Sequence, residues 1–436
     1  MRLSIQATAS GDPLAGTVPR NLGAASSGLG GALLPAVAAA VILTACSGGG
    51  GTASNSVLPG VPGSVLAQAA ARSNGALSPD AVTYTSLYSF KGGSDGTNPY
   101  AGLVDVNGTL YGTTEIGGTG DDGTVFSITT SGAESVLHSF AGGSDGAYPW
   151  AGLTDVNGTL FGTENGGVNN LGTVFSITTS GTERILHTFT GPPDGQLSYA
   201  GLVDVDGTLY GTTQYGGTGS CGGGCGTVFK ITTSGAESVI YSFTNGSDGG
   251  YPYAGLLNVK GTLYGTTQEG GASDAGTVFS ITTSGKESVL HSFTAGLDGA
   301  EPYAGLVNLG GTLYGTTNSG GASNKGTVFS ITLSGTETVL HSFTGGSDGG
   351  YPYAGLLNVN GTLYGTTAIG GTSKNGGRGT VFKITKAGKE SVVYRFQSAP
   401  DGANPYAGLI DVGGTLYGTT LAGGASGAGT VFSIGL

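Results

Sequence analysis

The sequence predicts an all-β protein, a seven-bladed β-propeller whose blades each hold about fifty residues and four strands. The heptapeptide GTLYGTT begins at residues 108, 207, 261, 311, 361 and 414, with the variant GTLFGTE at 158. The glycines of a second repeated motif, AGL, are separated by 50, 49, 54, 50, 50 and 53 residues. A period near fifty that contains four short apolar runs is typical of a propeller blade.

Each repeat reads as four strands, called a to d in chain order. In the first repeat, YAGLVDVNG and TLYGTT form strands a and b, and Asn107-Gly108 between them favours a two-residue hairpin because both positions accept positive φ. GTVFSIT then forms strand c, TSG a tight turn and ESVLHSF strand d. In strand b, we interpret the glycine as letting adjacent blades approach closely, while the preceding tyrosine fills the space between them.

The two ends of the repeat array complement each other. The last repeat stops after its strand c at GTVFSIGL, and an extra d-like segment, YTSLYSF from Tyr84 to Phe90, precedes the first repeat. A closed ring gains from this permutation because the N-terminal strand completes the last blade and removes two free sheet edges. We therefore predict a closed propeller over residues 83–436.

The first 82 residues predict export and anchoring. The apolar run Ala32 to Ala45 is too short to cross a bilayer as a mature helix but suits the core of a signal peptide at 1–45. Its ending, LTAC, resembles the bacterial lipobox, which implies cleavage before Cys46, a diacylglycerol on its sulfur and, with Ser47 next, the outer membrane. An ordinary cleaved signal with an incidental Cys46 is the alternative. Residues 46–82 read as a flexible Gly/Ser/Ala tether.

Composition excludes several classes of protein. Glycine is 90 of 436 residues without a Gly-X-Y period, which excludes collagen, and 20 Tyr and 15 Phe at fixed spacing argue against disorder. The net charge is −12 with no basic stripe, so nucleic acid is not expected as a partner. We expect a monomer that contacts the membrane through its lipid anchor only.

Cys221 and Cys225 lie in the glycine-rich loop SCGGGCG of the third repeat. In an exported protein such a pair is expected to oxidise, so we favour a local disulfide. A metal site is the weaker interpretation, since no histidine is near in sequence and two thiolates fill half of a tetrahedral shell.

The four histidines occupy one equivalent position in strand d, where the other copies carry tyrosine. The histidines are His138, His187, His291 and His341, and the tyrosines are Tyr88, Tyr241 and Tyr394. Tyrosine cannot replace the proton chemistry of histidine at neutral pH, so we predict a structural ring that packs and donates one hydrogen bond. The glutamates that begin strand d are expected to be solvated.

An Asp-Gly pair follows strand d in every repeat. The aspartates are Asp95, Asp145, Asp194, Asp248, Asp298, Asp348 and Asp401. Turn chemistry is the main interpretation, with Asp bonding its own backbone and Gly in the left-handed conformation. A carboxylate in a glycine-rich loop could also hold Ca²⁺, although the several acidic ligands of a dedicated calcium loop are missing. No other cofactor is expected.

Irregular residues concentrate on one predicted face of the propeller. The b to c and d to a loops share that face, because successive connections of an antiparallel blade alternate sides. Trp150, Lys374, Arg378 and the cysteine pair lie in or beside these loops. We predict that this face, with the seven aspartates, is the recognition surface, since loops on a rigid scaffold can vary without disturbing the core.

The motifs AGL, GTLYGTT, GTVFSI and LHSF resemble the GloVer tandem repeat of bacterial cell-surface proteins. This resemblance covers about 350 residues and implies an anchored, exported repeat protein of the bacterial cell envelope. The order of strands is also similar to quinoprotein-type propellers, but those carry a docking tryptophan in most blades and this chain has only Trp150.

The expected function is a non-catalytic binding or interaction scaffold for a glycan or for an envelope or extracellular protein. The alternative is a carbohydrate-active or quinoprotein-like enzyme with its site in the central channel. An enzyme should carry a unique cluster of acid, base and nucleophile in one blade, whereas these repeats are nearly identical. No catalytic residue is therefore assigned. A purely structural envelope component is a third possibility.

Overall fold

A computed structural model describes residues 82–372, 377–397 and 399–436. They form seven four-stranded antiparallel sheets, which confirms the predicted seven-bladed β-propeller. The predicted signal peptide, Cys46, the tether up to residue 81 and Lys374 lie outside the described residues. In the part of the chain that is described, no helix has the length and apolarity needed to cross a membrane.

Strand a lies nearest the axis of the ring and strand d farthest from it. Strand a spans Val104–Val106, Thr154–Val156, Val203–Val205, Leu257–Val259, Val307–Leu309, Leu357–Val359 and Ile410–Val412. Strand b spans Thr109–Thr114, Thr159–Glu164, Thr208–Thr213, Thr262–Thr267, Thr312–Thr317, Thr362–Thr367 and Thr415–Thr420. Strand c spans Thr124–Thr129, Thr173–Thr178, Thr227–Thr232, Thr277–Thr282, Thr327–Thr332, Thr380–Ile384 and Thr430–Gly435. Strand d spans Thr83–Ser89, Glu134–Ser139, Glu183–Thr188, Glu237–Ser242, Glu287–Ser292, Glu337–Ser342 and Glu390–Arg395.

Short elements decorate the loops of four blades. Two 3-10 turns, Gly93–Asp95 and Gly143–Asp145, lie in the first two d to a loops. Two-residue strands pair Gly195–Gln196 with Tyr215–Gly216, and Gly402–Ala403 with Ala422–Gly423.

The hairpin between strands a and b has the predicted left-handed turn. Asn107 and Gly108 have φ of 55° and 84°, and the Gly108 N–H donates to Asp105 Oδ1 at 2.8 Å. In the fourth blade Asn258 Oδ1 accepts the equivalent bond from Gly261 at 2.9 Å. Either side chain supplies the acceptor, so an ionised carboxylate is not needed at this position.

The glycine of strand b makes room inside its own blade, which corrects the sequence interpretation. Gly112 is paired with Phe126 of strand c, and a Cβ at Gly112 would lie 2.6 Å from Phe126 Cζ and 2.9 Å from Leu103 Cδ2. The preceding Tyr111 is buried and packs against the next blade, including Phe175, as predicted. The glycine and the tyrosine of the heptapeptide therefore serve intrablade and interblade packing respectively.

The heptapeptide also supplies a hydrogen bond between adjacent blades. The Thr266 hydroxyl donates to Ala304 O of the next blade at 3.1 Å, and the same bond recurs at the other interfaces. The last of them, from Thr419 to Ala101 O at 3.0 Å, joins the seventh blade to the first. Each interface thus buries a satisfied hydroxyl beside its aromatic packing.

The seventh blade combines both ends of the propeller. The N-terminal strand Thr83–Ser89 pairs antiparallel with Thr430–Gly435, from Thr83 opposite Gly435 to Ser89 opposite Thr430. At the axis, the AGL glycines of successive blades pack on one another, and a Cβ at Gly102 would lie 3.3 Å from Gly408 O. The approach is closest at Gly255 and Gly355, where a Cβ would lie 2.9 Å from a carbonyl oxygen of the preceding blade, so these two positions leave no room for a larger residue.

Phenylalanine fills the space between blades. Phe293, directly after strand d, and Phe329 of the next blade's strand c are fully buried and meet edge to face, with their ring centroids 5.3 Å apart. Equivalent pairs recur around the ring, so the core is a set of apolar clusters that each span two blades.

Candidate functional site: the channel mouth and the interblade clefts

Seven aromatic side chains form a closed ring around the propeller axis, each two residues before the AGL glycine of its blade. They are Tyr100, Trp150, Tyr199, Tyr253, Tyr303, Tyr353 and Tyr406. Centroids of neighbouring rings are between 4.5 and 5.5 Å apart all the way round. We call this set the aromatic ring. Trp150 therefore belongs to the channel, where it stands in the place of a tyrosine.

The aromatic ring fills the channel instead of leaving a polar pore. The phenols of Tyr100 and Tyr253, in blades one and four, influence each other across the axis. Burial raises the pKa of both phenols far above their usual range and raises that of Tyr199 to about 12. The ring thus holds neutral hydroxyls near neutral pH, suited to hydrogen bonding and stacking.

A rim of small and polar side chains surrounds the aromatic ring on the face of the b to c loops. One residue per blade follows strand b directly, and because strand a starts where strand b ends, it lies beside the aromatic ring. The rim residues are Glu115, Asn165, Gln214, Gln268, Asn318, Ala368 and Leu421. Five consecutive blades contribute polar groups and the last two contribute apolar ones. We call the aromatic ring and this rim together the channel mouth.

The carboxamides of the rim form a partly satisfied network. Gln268 Nε2 donates to the Tyr303 hydroxyl at 2.7 Å, and Gln214 Nε2 donates to Gln268 Oε1 at 3.4 Å. Asn318 is only 6% exposed, yet its Nδ2 has no hydrogen-bond partner, and Asn165 Oδ1 is likewise buried and unpaired. Buried polar atoms without partners are rare in proteins, so these two amides are candidates for contact with a ligand.

Burial raises the pKa of the single carboxyl of the rim, Glu115, although a hydrogen bond donated by Asn98 Nδ2 at 3.3 Å partly offsets this.

The residue two positions before each ring aromatic holds the mouth in place through its backbone. In chain order these residues are Asn98, Tyr148, Leu197, Tyr251, Glu301, Tyr351 and Asn404.

All seven of these backbone positions adopt the left-handed conformation, with φ between 53° and 56°. Each N–H donates to a carbonyl of the preceding blade's b to c loop at 2.7 to 3.0 Å, and each carbonyl accepts from the rim residue of its own blade. Non-glycine residues hold this conformation only where the surroundings compensate for the strain. These hydrogen bonds compensate for the strain and fix the position of the rim.

Outside the rim, the same face exposes further aromatic and charged side chains. Tyr148 is 40% exposed, and the Tyr215 and Tyr251 rings meet at 5.4 Å. Lys325 Nζ lies 4.3 Å from the centroid of the Tyr351 ring. Two surface cavities have volumes of about 260 and 250 Å³, the first lined by Arg378 among others and the second by Glu301 among others.

The seven Asp-Gly aspartates do not converge on one site. Each accepts a hydrogen bond from the backbone N–H four residues earlier, at 2.7 to 2.9 Å, in its own cleft between the strands d of adjacent blades. The following glycine is left-handed in five blades, but Gly195 and Gly402 instead form short strands. The structure therefore separates the aspartates from Trp150 on the axis, whereas Asp401 adjoins the cavity of Arg378, because it accepts a hydrogen bond from the N–H of Gln397 in the cavity wall.

These seven interblade clefts also hold the histidine or tyrosine of strand d. The Tyr241 hydroxyl donates to Asp248 Oδ2 at 3.1 Å, and His187 Nε2 lies 3.1 Å from Asp194 Oδ2. The His187 ring packs edge to face on Phe189 at 5.1 Å. The predicted packing role agrees with the structure, but the predicted hydrogen bond is absent at His138, His291 and His341, whose Nε2 atoms lie 3.3 to 3.4 Å from the aspartate without forming one.

The glutamates that begin strand d are not solvated, and the expectation that they would be is wrong. Their Oε1 atoms are buried without hydrogen-bond partners, at Glu134, Glu183, Glu237, Glu287, Glu337 and Glu390. Burial, helped by the charge of the neighbouring Asp298, raises the pKa of Glu337 to about 7. The cause is tertiary, because each glutamate faces the Asp-bearing loop that leads into its own blade.

Cys221 and Cys225 form the predicted disulfide. Cys225 is fully buried in the core cluster of the third and fourth blades, and its carbonyl accepts from Tyr251 N at 2.8 Å. The disulfide therefore fixes the b to c loop that holds Tyr251, one of the seven left-handed residues that position the rim.

The aromatic ring and the rim carboxamides were not identified from the sequence. The signal was present, since an aromatic residue precedes AGL at one fixed offset in all seven repeats. A single residue per fifty appears as ordinary packing until closure of the ring brings the seven copies together.

Comparisons with known proteins concern the family and the fold. A family model described as the Gloeobacter/Verrucomicrobia repeat matches residues 65–223 and 219–432. The sequence matches none of the curated proteins.

Several solved structures are similar to this chain at low identity. The S511A mutant of puromycin hydrolase complexed with PGG is 12% identical over 73% of this chain and 49% of that chain, with a TM-score of 0.48. Trypanosoma rangeli sialidase in complex with sialic acid is 12% identical over 83% of this chain and 59% of that chain, with a TM-score of 0.41. This chain matches 27% of the length of the tricorn protease, at 12% identity over 74% of this chain and a TM-score of 0.41. It thus spans less than two thirds of these proteins, and the likeness concerns the fold alone.

Proposed function

The chain belongs to the Gloeobacter/Verrucomicrobia repeat family, and on that premise we propose that it is a non-catalytic binding protein whose channel mouth holds a neutral glycan. The observation that carries this proposal is the closed aromatic ring surrounded by carboxamides. Glycan sites combine a flat apolar surface for the faces of sugar rings with amide donors and acceptors for their hydroxyls.

The rim supports a polar, uncharged ligand. Asn318 Nδ2 and Asn165 Oδ1 offer one donor and one acceptor without partners, and a sugar hydroxyl can serve either. Glu115 lies at the same rim, and a buried carboxylate disfavours an anionic ligand. A neutral saccharide meets both conditions.

The asymmetry of the rim supports one preferred orientation of the ligand. Glu115 to Asn318 supply polar groups over five blades, whereas Ala368 and Leu421 leave the remaining two apolar. A ligand with one hydroxylated and one apolar edge therefore matches the mouth in one rotation only. In any other rotation, polar groups of the rim would be left without hydrogen-bond partners, which disfavours that orientation and gives specificity.

The chemistry of the channel favours binding over the catalytic alternative. In the described residues, the ring that fills the channel offers six phenols and one indole, and burial raises the pKa of three of the phenols, those of Tyr100, Tyr199 and Tyr253. General acid-base catalysis needs groups that exchange protons near the working pH. An enzyme of carbohydrate-active or quinoprotein type is therefore the second candidate.

We also propose that the protein works at the bacterial cell envelope, anchored by a lipid on Cys46. The apolar leader and the LTAC motif support this, and the Cys221–Cys225 disulfide fits an oxidising compartment outside the cytoplasm.

The test is binding of the purified protein to an array of neutral polysaccharides and oligosaccharides, repeated with the triple variant Gln214→Ala, Gln268→Ala and Asn318→Ala. Alanine occurs naturally at this rim position in the sixth blade, so the fold should tolerate it. We expect saturable binding by the native protein and at least a tenfold weaker affinity for the triple variant, with little change in Tm.

The matched control is Lys260→Asn, which places in the a to b turn, on the opposite face, the asparagine that the sixth blade carries at residue 360. This variant should bind like the native protein. Native-like binding by the triple variant would refute the location of the site. Absence of binding to every glycan on the array would refute a glycan ligand and favour a protein ligand.

A further inference from the structure

We infer that the cleft between the second and third blades is a Zn²⁺ site, with His187, Asp194 and Glu237 as its protein ligands. His187 and Asp194 come from strand d of the second blade and the loop after it, and Glu237 begins strand d of the third blade. The site therefore joins two adjacent blades at their outer edge.

The three ligand atoms lie near the separations that a zinc ion requires. His187 Nε2 lies 3.1 Å from Asp194 Oδ2 and 3.9 Å from Glu237 Oε2, and all three atoms fall within 4.8 Å of one another. Tetrahedral ligands placed about 2.1 Å from Zn²⁺ are roughly 3.4 Å apart. Small side-chain movements would bring the three atoms to bonding distance.

Two of the ligands are held in position by their neighbours. Asp194 accepts hydrogen bonds from the N–H groups of Thr190 at 2.9 Å and Gly195 at 2.7 Å. The His187 ring is fixed by its edge-to-face contact with Phe189. Such supporting contacts orient metal ligands and reduce the ordering that binding requires.

Glu237 gives an independent reason to expect a cation. Its side chain is only 10% exposed, and its Oε1 is buried without a hydrogen-bond partner. Burial and the charge of Asp194 raise the pKa of Glu237 to about 7. A divalent cation would neutralise both carboxylates and supply the missing partner of the Glu237 carboxylate.

The ligand set favours zinc over calcium. One imidazole nitrogen and two carboxylate oxygens, with room for water in the fourth position, are a zinc set, whereas Ca²⁺ takes six to eight oxygens. The side-chain exposures of 22%, 15% and 10% for His187, Asp194 and Glu237 leave the cleft reachable from solvent.

The other clefts provide comparisons within the same chain. Three carry tyrosine in place of histidine, and all four histidine clefts hold the same three residue types. Within the described residues, the three ligand atoms lie within 4.8 Å of one another in two of these clefts, those of His187 and His138. The aspartate of the His138 cleft is 31% exposed, so we expect weaker binding there.

The experiment is calorimetric titration of ZnCl₂ into the full protein after treatment with a chelator, at pH 7.5 and in buffers of different ionisation enthalpy. The variant His187→Tyr introduces the residue that three blades carry naturally, and His341→Tyr is the matched control. We expect His187→Tyr to lose one equivalent of bound zinc while His341→Tyr loses none.

Binding at this site should release protons, because His187 Nε2 and the carboxylates must be deprotonated to ligate the metal. The observed enthalpy should therefore depend on the buffer in the native protein, and less so in His187→Tyr.

A second variant, Glu237→Gln, is a control for misfolding of the first. It keeps the side-chain shape and should weaken zinc binding at least tenfold without lowering the Tm of the metal-free protein. Unchanged stoichiometry and affinity in both variants, or no saturable binding by the native protein, would overturn the proposal.

Discussion

Replacing Glu337 by glutamine should stabilise the protein at high pH and leave it unchanged at low pH. Glu337 begins strand d of the fifth blade, and its Oε1 is buried without a partner. Burial and the charge of Asp298 raise the pKa of its carboxyl to about 7 in the folded state. Glutamine has nearly the same shape but cannot ionise, so it removes the desolvated charge alone.

The magnitude follows from the difference between the folded and unfolded pKa. The unfolded carboxyl titrates near 4.5, and each pKa unit corresponds to about 1.4 kcal/mol. The folded value is the higher one, so the favourable contribution is complete below pH 4.5 and is lost as the pH rises through 7. After allowance for partial exposure, Glu337→Gln should raise the free energy of unfolding by roughly 1 to 3 kcal/mol at pH 8.

The assay is urea unfolding of the native protein and Glu337→Gln at pH 4.5, 6 and 8, with m-values compared. The difference in stability should be near zero at pH 4.5 and grow with pH. Asp411→Asn is the matched control, since it removes a carboxylate from a turn where three blades carry asparagine. A constant difference across the pH range, or a destabilised variant at pH 8, would refute the assignment of a buried, reluctantly ionised glutamate.

Three further expectations concern packing and backbone. Gly315→Ala should lower stability by about 1 to 3 kcal/mol in urea unfolding, because its Cβ would lie 2.6 Å from Phe329 Cζ; native stability would contradict this contact. The Cys221→Ser and Cys225→Ser double variant should lose about 2 kcal/mol from loop entropy, with glycan binding measured in parallel to detect a loosened mouth. Glu301→Asn should raise the free energy of unfolding by about 0.5 to 1 kcal/mol and the Tm slightly, since asparagine tolerates the φ of 53° found there. A lowered Tm would count against strain at that residue.

Periodicity was sufficient to predict the architecture because a blade repeats its turn glycines, its hairpins and its buried phenylalanines at one spacing. The same periodicity made the channel mouth hard to recognise from the sequence. Tyr100 and its six counterparts form a ring only after closure, and each looks like ordinary packing within its own repeat.

The error over the glutamates has a related cause. Glu337 begins an outer strand next to a tight turn, where sequence patterns indicate exposure. Its burial comes from the Asp298 loop that leads into its own blade, a contact about forty residues away in sequence. Local sequence patterns do not predict contacts between residues that are distant in the chain. Likewise, the spacing of His187, Asp194 and Glu237 gives no indication that the three side chains meet.

The position of the N-terminal strand determines the side on which the chain enters the propeller. Thr83 pairs with Gly435, at the end of strand c that leads to the tight c to d turns in the other blades, while Ser89 lies at the opposite end, beside the long loops. The chain therefore enters the propeller on the side remote from the aromatic ring. A group attached at Thr83 would leave the channel mouth unobstructed.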